Sequence, residues 1–209
     1  MSHILNRGGL DRLSLIGMSW GGSVTAAYTA AHGETVAKLA LIAPQWLTEG
    51  PVRIDAGGTL GAYRRIDVQA FRQRWLDAAP ADRRDGLIPA GWFDSWAETT
   101  LATDPGAGAP GTIRAPSGAV LDVREYWTAG RPIYDPGAIR SPVLLTHAEW
   151  DADVTIDRIQ ALFLRLTGAP YRRWVEIGEG THMVVLEKNR WQVIDAIVAF
   201  LKETRALID

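Results

Sequence analysis

Gly17-Met18-Ser19-Trp20-Gly21 sets a serine between two glycines directly behind a short apolar run. A G-x-S-x-G pattern in that position marks a sharp strand-to-helix bend that holds the serine hydroxyl out in strained backbone, where it can attack a carbonyl. A side chain at Gly17 or Gly21 is expected to collide with the adjacent strand or helix, and Gly22 to let the new helix approach the sheet closely. The backbone N–H of Trp20, at the helix N-terminus, points to where a substrate oxygen would gain negative charge, so it is the expected oxyanion donor.

Serine alone is a poor nucleophile, so the chemistry needs a base and a group to orient it. With a bend of this type, the expected chain order is serine, then acid, then histidine. His182, in the loop GEGTHMV ahead of the last helix, fits as base. His3 and His32 lie before or beside the bend, and His147 ends the PVLLT run, where a packed residue is expected. For the acid, LLTHAEWDADV offers Asp151 first and Asp153 as fallback, the latter's structural role being to cap the helix before Ile156; Glu149 is a third choice. A metal hydrolase built on His147, Asp151 and Asp153 lacks ligand spacing and a helical HExxH-type motif, so neither metal nor cofactor is implied. Cysteine is absent, which excludes disulfides and thiolate chemistry.

The elements that must position these groups follow from the pattern of apolar residues. Leu13, Leu15 and Ile16 predict a strand ending at Gly17, Ser23 to Ala31 a helix stopped by Gly33, and Val36 to Ala43 a second buried strand before Pro44. Strand, crossover helix and strand make a right-handed parallel unit. Residues 44–135 change texture: helices are predicted near Ala62 to Ala78 and Ala90 to Ala102, the second opened by Pro89. Five tryptophans fall here, Trp46, Trp75, Trp92, Trp96 and Trp127. Read plainly they fill a core; read more sharply they form an apolar lid, with Trp46, Trp92, Trp96 and the loop residue Met183 lining the substrate site.

Beyond Asp135 the alternation returns, with strands Pro142 to Thr146 and Tyr171 to Ile177 and a helix from Ile156 to Leu166 closed by Gly168. A terminal helix is predicted from Glu187 to Leu207, with Trp191, Ile194, Ile197, Val198 and Leu201 facing the sheet. The architecture expected is α/β: a core from 1–43 and 136–209, interrupted by a helical insertion at 44–135.

With 209 residues, 47% hydrophobic and 22% charged, the chain can bury one sizeable core, with or without an insertion. A net charge of -2 gives no reason to expect nucleic acid or an anionic membrane as partner, and no run is long enough to span a bilayer. The expectation is a soluble, cytoplasmic protein whose partner is a small-molecule substrate.

GMSWGG, LLTHAEWDADV and EGTHMVVLEKNRWQVIDAIVAFL together resemble the α/β-hydrolase superfamily. The resemblance implies a mostly parallel sheet with flanking helices, a Ser19, Asp151, His182 triad, and a helical cap at the point where residues 44–135 sit. Members often carry glycine where this chain has Ala148. In the complete fold several strands precede the serine, and the loop after an early one supplies a second oxyanion donor. Here eighteen residues precede Ser19, so only a partial α/β-hydrolase fold is expected, with an open edge from Arg12 to Gly17. Another chain covers that edge, or the protein reorganises, or the sequence is a truncated piece of a longer product. Truncation or an internal start is the favoured expectation, with edge pairing into a homodimer as its consequence.

The function implied is hydrolysis of a small, fairly apolar ester or related acyl compound. A serine at the bend argues against haloalkane dehalogenation, which uses a carboxylate, and leaves amide, carbon–carbon and perhydrolytic variants open. The alternative is an inactive binding or assembly module on the same scaffold.

Overall fold

The computed structural model describes residues 1–106 and 108–204. A short helix α1 (Ser2–Gly8) leads into β1 (Leu13–Met18), α2 (Trp20–Ala31) and β2 (Val36–Ile42), the parallel unit the apolar runs predict. After the insertion come β5 (Val143–Ala148), α6 (Ile156–Arg165), β6 (Arg172–Ile177) and α7 (Arg190–Lys202). The four core strands pair in the order β1-β2-β5-β6, all parallel, so their C-terminal ends share one rim. β1 forms an edge of this sheet.

Alternating side chains build a core on each face of the sheet. Leu39, Leu41, Val143 and Leu145 turn to one side, against Ala26 of α2 and Ile159 and Leu162 of α6. Ala40, Ile42 and Leu144 turn to the other, against Val193, Ile197 and Phe200 of α7. The buried stripe of α7 is therefore Val193, Ile197 and Phe200, with Ile194 and Leu201 flanking it. Trp191 and Val198, expected to face the sheet, are exposed. At 100° per residue they fall on the far side of the helix from Phe200, and the Arg190 guanidinium lies over both Trp191 and Trp92. The predicted extension of this helix through 205–207 lies outside the described residues.

The insertion is not purely helical. It contains β3 (Tyr63–Asp67), α3 (Val68–Leu76), α4 (Trp92–Ala102), β4 (Thr112–Pro116) and α5 (Gly118–Asp122), which runs into a π-helical turn over Val123–Trp127. The helix expected from Ala62 begins only at Val68, because Asp67 caps it by accepting the amides of Gln69 and Ala70. Ahead of that cap, Tyr63 to Asp67 alternate exposed and half-buried and pair antiparallel with β4. Two aromatic clusters seat the insertion: Trp46, Trp127 and Tyr134 join the core against β2 and β5, while Trp75, Phe93 and Phe71 enclose a smaller one that Met183 and Leu186 close. Among the described residues no helix is long and apolar enough to cross a membrane.

Candidate functional site

Ser19 follows the last residue of β1, and its amide donates to Ile42 at the end of β2 (2.8 Å). Its backbone is left-handed (φ 52°, ψ −122°), a conformation that costs a non-glycine residue about 1–3 kcal/mol. Ala43 (φ 41°) and Glu179 (φ 54°) share this sign, and each also follows the C-terminal end of a strand, β2 or β6. Among the described residues, all the non-glycine left-handed backbone thus gathers on one rim.

The steric case for the surrounding glycines holds for two of the three. A Cβ on Gly17 would lie 2.5 Å from the Gly21 carbonyl oxygen, and one on Gly22 would lie 2.8 Å from Pro44 Cβ. Around Gly21 nothing comes within 4 Å. The close approach that requires glycine is made by Gly17 and Gly22, so the collision expected at Gly21 does not occur.

Asp151 and His182 meet at the same rim. After β5 the chain turns back on itself, and Asp151 Oδ1 accepts the amides of Asp153 (2.9 Å) and Val154 (2.8 Å). This fixes the carboxylate so that Oδ2 accepts from His182 Nδ1 at 2.8 Å. Both residues are buried. Burial pulls the His182 pKa down, but the Asp151 hydrogen bond and charge, with Asp153 behind them, outweigh it and leave it raised above the ordinary histidine value. With Nδ1 donating, a neutral ring presents Nε2 as an acceptor.

The histidine loop is itself tied down. Buried Glu187 accepts from the Thr181 amide (2.9 Å), the Thr181 hydroxyl and the Trp75 indole (2.6 Å), joining α3 to the residue before His182. Burial raises the Glu187 pKa, and these three donors oppose that shift. Glu187, where the terminal helix is predicted to start, lies ahead of α7 (Arg190–Lys202), and no motif in the run VVLEKN marks it as a site residue.

Ser19 and His182 line one cavity with Gln45, Val52, Arg53, Ile54, Arg74 and Asp153. Its volume is about 40 Å³, room for one or two waters. Gln45 lies just beyond β2 at the same rim, so its place there was legible from strand order; Arg53 and Arg74 come from the insertion, whose docking the sequence does not encode in any local signal.

The remaining candidates lie as follows. Asp153 does not cap α6, whose N-cap is Thr155; its Oδ1 stands 3.3 Å from Arg74 Nη1. Glu149 accepts the Glu179 amide, away from His182. His147 is packed, its ring nitrogens bonded to Glu176 and to the Val154 carbonyl, and among the described residues no three ligating side chains converge on a metal position. Trp20 opens α2, and its indole donates to Asp122 of α5 at 2.6 Å.

The structure seats the four residues expected to line the substrate site elsewhere. Trp46 is fully buried against Trp127 and Tyr134, Trp96 stacks on Phe71, Trp92 is exposed beneath Arg190, and Met183 packs on the Trp75 cluster. The aromatics of the insertion are used for its own docking and core.

This parallel sheet, flanked by helices, with a strained serine after an edge strand and an Asp–His pair at the same rim, is an α/β-hydrolase fold. No protein-family model matches the chain, and no curated protein matches it. Solved structures do. It is similar to a bacterial membrane phospholipase A (TM-score 0.63, 21% identity, 96% of this chain and 60% of that one). A meta-cleavage product hydrolase from Pseudomonas fluorescens gives a TM-score of 0.61 at 14% identity, covering 97% of this chain and 69% of that one. An esterase from Exiguobacterium antarcticum gives 0.56 at 16%, covering 97% and 71%. The chain thus spans 60% to 71% of the length of these structures.

Proposed function

We propose that this chain is a serine hydrolase of small acyl substrates, with Ser19 as nucleophile, His182 as base and Asp151 as its orienting acid. One observation carries the reading: a buried Asp151–His182 pair opens onto the same cavity as a serine held in left-handed backbone. His182 Nε2 takes the Ser19 proton as the oxygen attacks the carbonyl, and Asp151 stabilises the resulting imidazolium. The Trp20 amide, one of the first-turn N–H groups without an intrahelical acceptor, holds the oxyanion. Collapse transfers the proton to the leaving group, and water, deprotonated by the same histidine, releases the acid. Residues 44–135 act as a cap, since Arg53, Arg74 and Trp75 reach the rim from there.

The test is incubation with a fluorophosphonate followed by mass mapping. An adduct on Ser19, lost in Ser19→Ala and His182→Ala, is the expected result; a folded chain with no adduct would overturn the reading. The cavity's small volume favours one second reading, a binding module that keeps the rim but admits no substrate. An unlabelled but folded chain is what that reading requires.

A further inference from the structure

The cavity beside Ser19 holds more positive charge than it neutralises. Arg53, from the loop ahead of β3, and Arg74, from α3, both line it. One carboxylate, Asp153, faces them, with Oδ1 at 3.3 Å from Arg74 Nη1 and 3.9 Å from Arg53 Nη1. Asp151 is already committed to His182.

Neither arginine is held as Arg124 is. Arg124 grips Asp55 with two short bonds, 2.6 and 2.5 Å, and its pull holds that carboxyl down at about 2. Arg74 has one ion-pair contact, at 3.3 Å, and lies over the Phe71 ring at 5.8 Å, and Arg53 spends its Nη2 on the Arg74 carbonyl at 2.8 Å. About two thirds of the Arg53 and Arg74 side chains is covered, and the two guanidinium groups share the single Asp153 carboxylate. Like charges held together in that way are stabilised when an anion joins them.

We infer that the substrate carries a carboxylate on its acyl chain, remote from the bond that is cut, and that this carboxylate docks on Arg74 and Arg53. The inference rests on the hydrolase reading of Ser19 and deepens it. Two guanidinium groups less the one carboxylate of Asp153 leave a surplus of a single charge on the lining, which a monoanion neutralises and a phosphate dianion overshoots. It differs from the fairly apolar substrate expected from the tryptophans, none of which lines the cavity. The cavity as it stands is about 40 Å³, so the proposal requires a short acyl chain and an outward movement of Arg53 and Arg74 to admit it.

Two esters of matched shape separate the possibilities: monomethyl glutarate, which ends in a carboxylate, and methyl valerate, which ends in a methyl group. Binding of each is measured by titration calorimetry on the Ser19→Ala chain, where no turnover intervenes. The charged ester is expected to bind about tenfold more tightly or better, the return from one charge-assisted hydrogen bond. Adding Arg74→Gln, or separately Arg53→Gln, brings it down toward the neutral ester; thermal melting confirms that each variant is folded. Equal binding of the two esters, binding of neither, or a preference that survives both arginine substitutions overturns the proposal. Fluorophosphonate labelling of the unmodified chain keeps the two readings apart. An adduct without the charge preference sinks only the carboxylate, and a charge preference without an adduct sinks only the hydrolase.

Discussion

A histidine acts as a base only when neutral, and the surroundings of His182 favour the charged form. Burial acts against the imidazolium, yet the Asp151 carboxylate at 2.8 Å more than compensates, so the ring holds its proton to higher pH than a free histidine. The rate of Ser19 labelling should therefore climb with pH through a midpoint above about 6.5, the ordinary imidazole value. Asp151→Asn removes the compensating charge and leaves burial in control. That midpoint should then fall below the unmodified one while the rate drops by as much as about 10⁴-fold, since the wrong tautomer is no longer prevented. A labelling profile whose midpoint does not move in Asp151→Asn would show that the carboxylate does not set it. By linkage, the raised pKa also adds stability at low pH that is lost as pH rises through the folded-state value. Glu187 acts one step further back. Glu187→Leu leaves the Trp75 indole and both Thr181 donors unpaired in a buried place, and a loss of about 3 kcal/mol is expected in urea unfolding. Of these residues Ser19, Asp151 and His182 were legible because each stands beside a strand end with a short motif; Glu187, Arg53 and Arg74 were not, because what they touch is distant in sequence.

The bend that carries Ser19 depends on how closely three elements approach. α2 leaves β1 so sharply that Gly17 faces the Gly21 carbonyl, and Gly22 faces Pro44 just after β2. Gly17→Ala and Gly22→Ala force backbone apart at the place where Ser19 is already strained. Each is expected to cost about 1–3 kcal/mol and to slow labelling of Ser19 together with the loss of stability. Gly21→Ala is expected to do the opposite. It sits in the first turn of α2 with open space around it, so it should leave labelling intact and gain up to about 1 kcal/mol of helix propensity. Thermal melting of the three variants side by side checks the contrast, and equal damage from all three would return the motif to its simplest reading. The parallel core was legible element by element because its buried strands read as continuous apolar runs. The β3–β4 pair was not: Tyr63 to Asp67 carries two arginines and no apolar face, and its partner lies beyond α4, so only the Asp67 cap separates it from the helix that follows.

At the scale of the whole molecule, β1 is one of the two edges of the core sheet, β6 being the other. It pairs with β2 on one side alone, and its sequence LSLIGM carries no charge or proline to discourage a further strand. Ile16 is 52% exposed, and Trp20 and Val24 at the start of α2 add to the apolar surface beside it. An edge of this kind offers a row of backbone N–H and C=O groups together with side chains that gain by burial. A second copy carries the same edge, so a two-fold pairing of β1 strands between copies is the prediction to test. Sedimentation velocity over a range of concentrations should show a dimer growing with concentration. Ile16→Lys, which sets like charges against each other across the two-fold, should hold the chain as a monomer while leaving Ser19 labelling per chain unchanged. If the unmodified chain stays monomeric throughout, the edge is not used between copies. If association persists in Ile16→Lys, the contact lies elsewhere, and Trp191 and Val198, exposed on the outer face of α7, become the surface to substitute next.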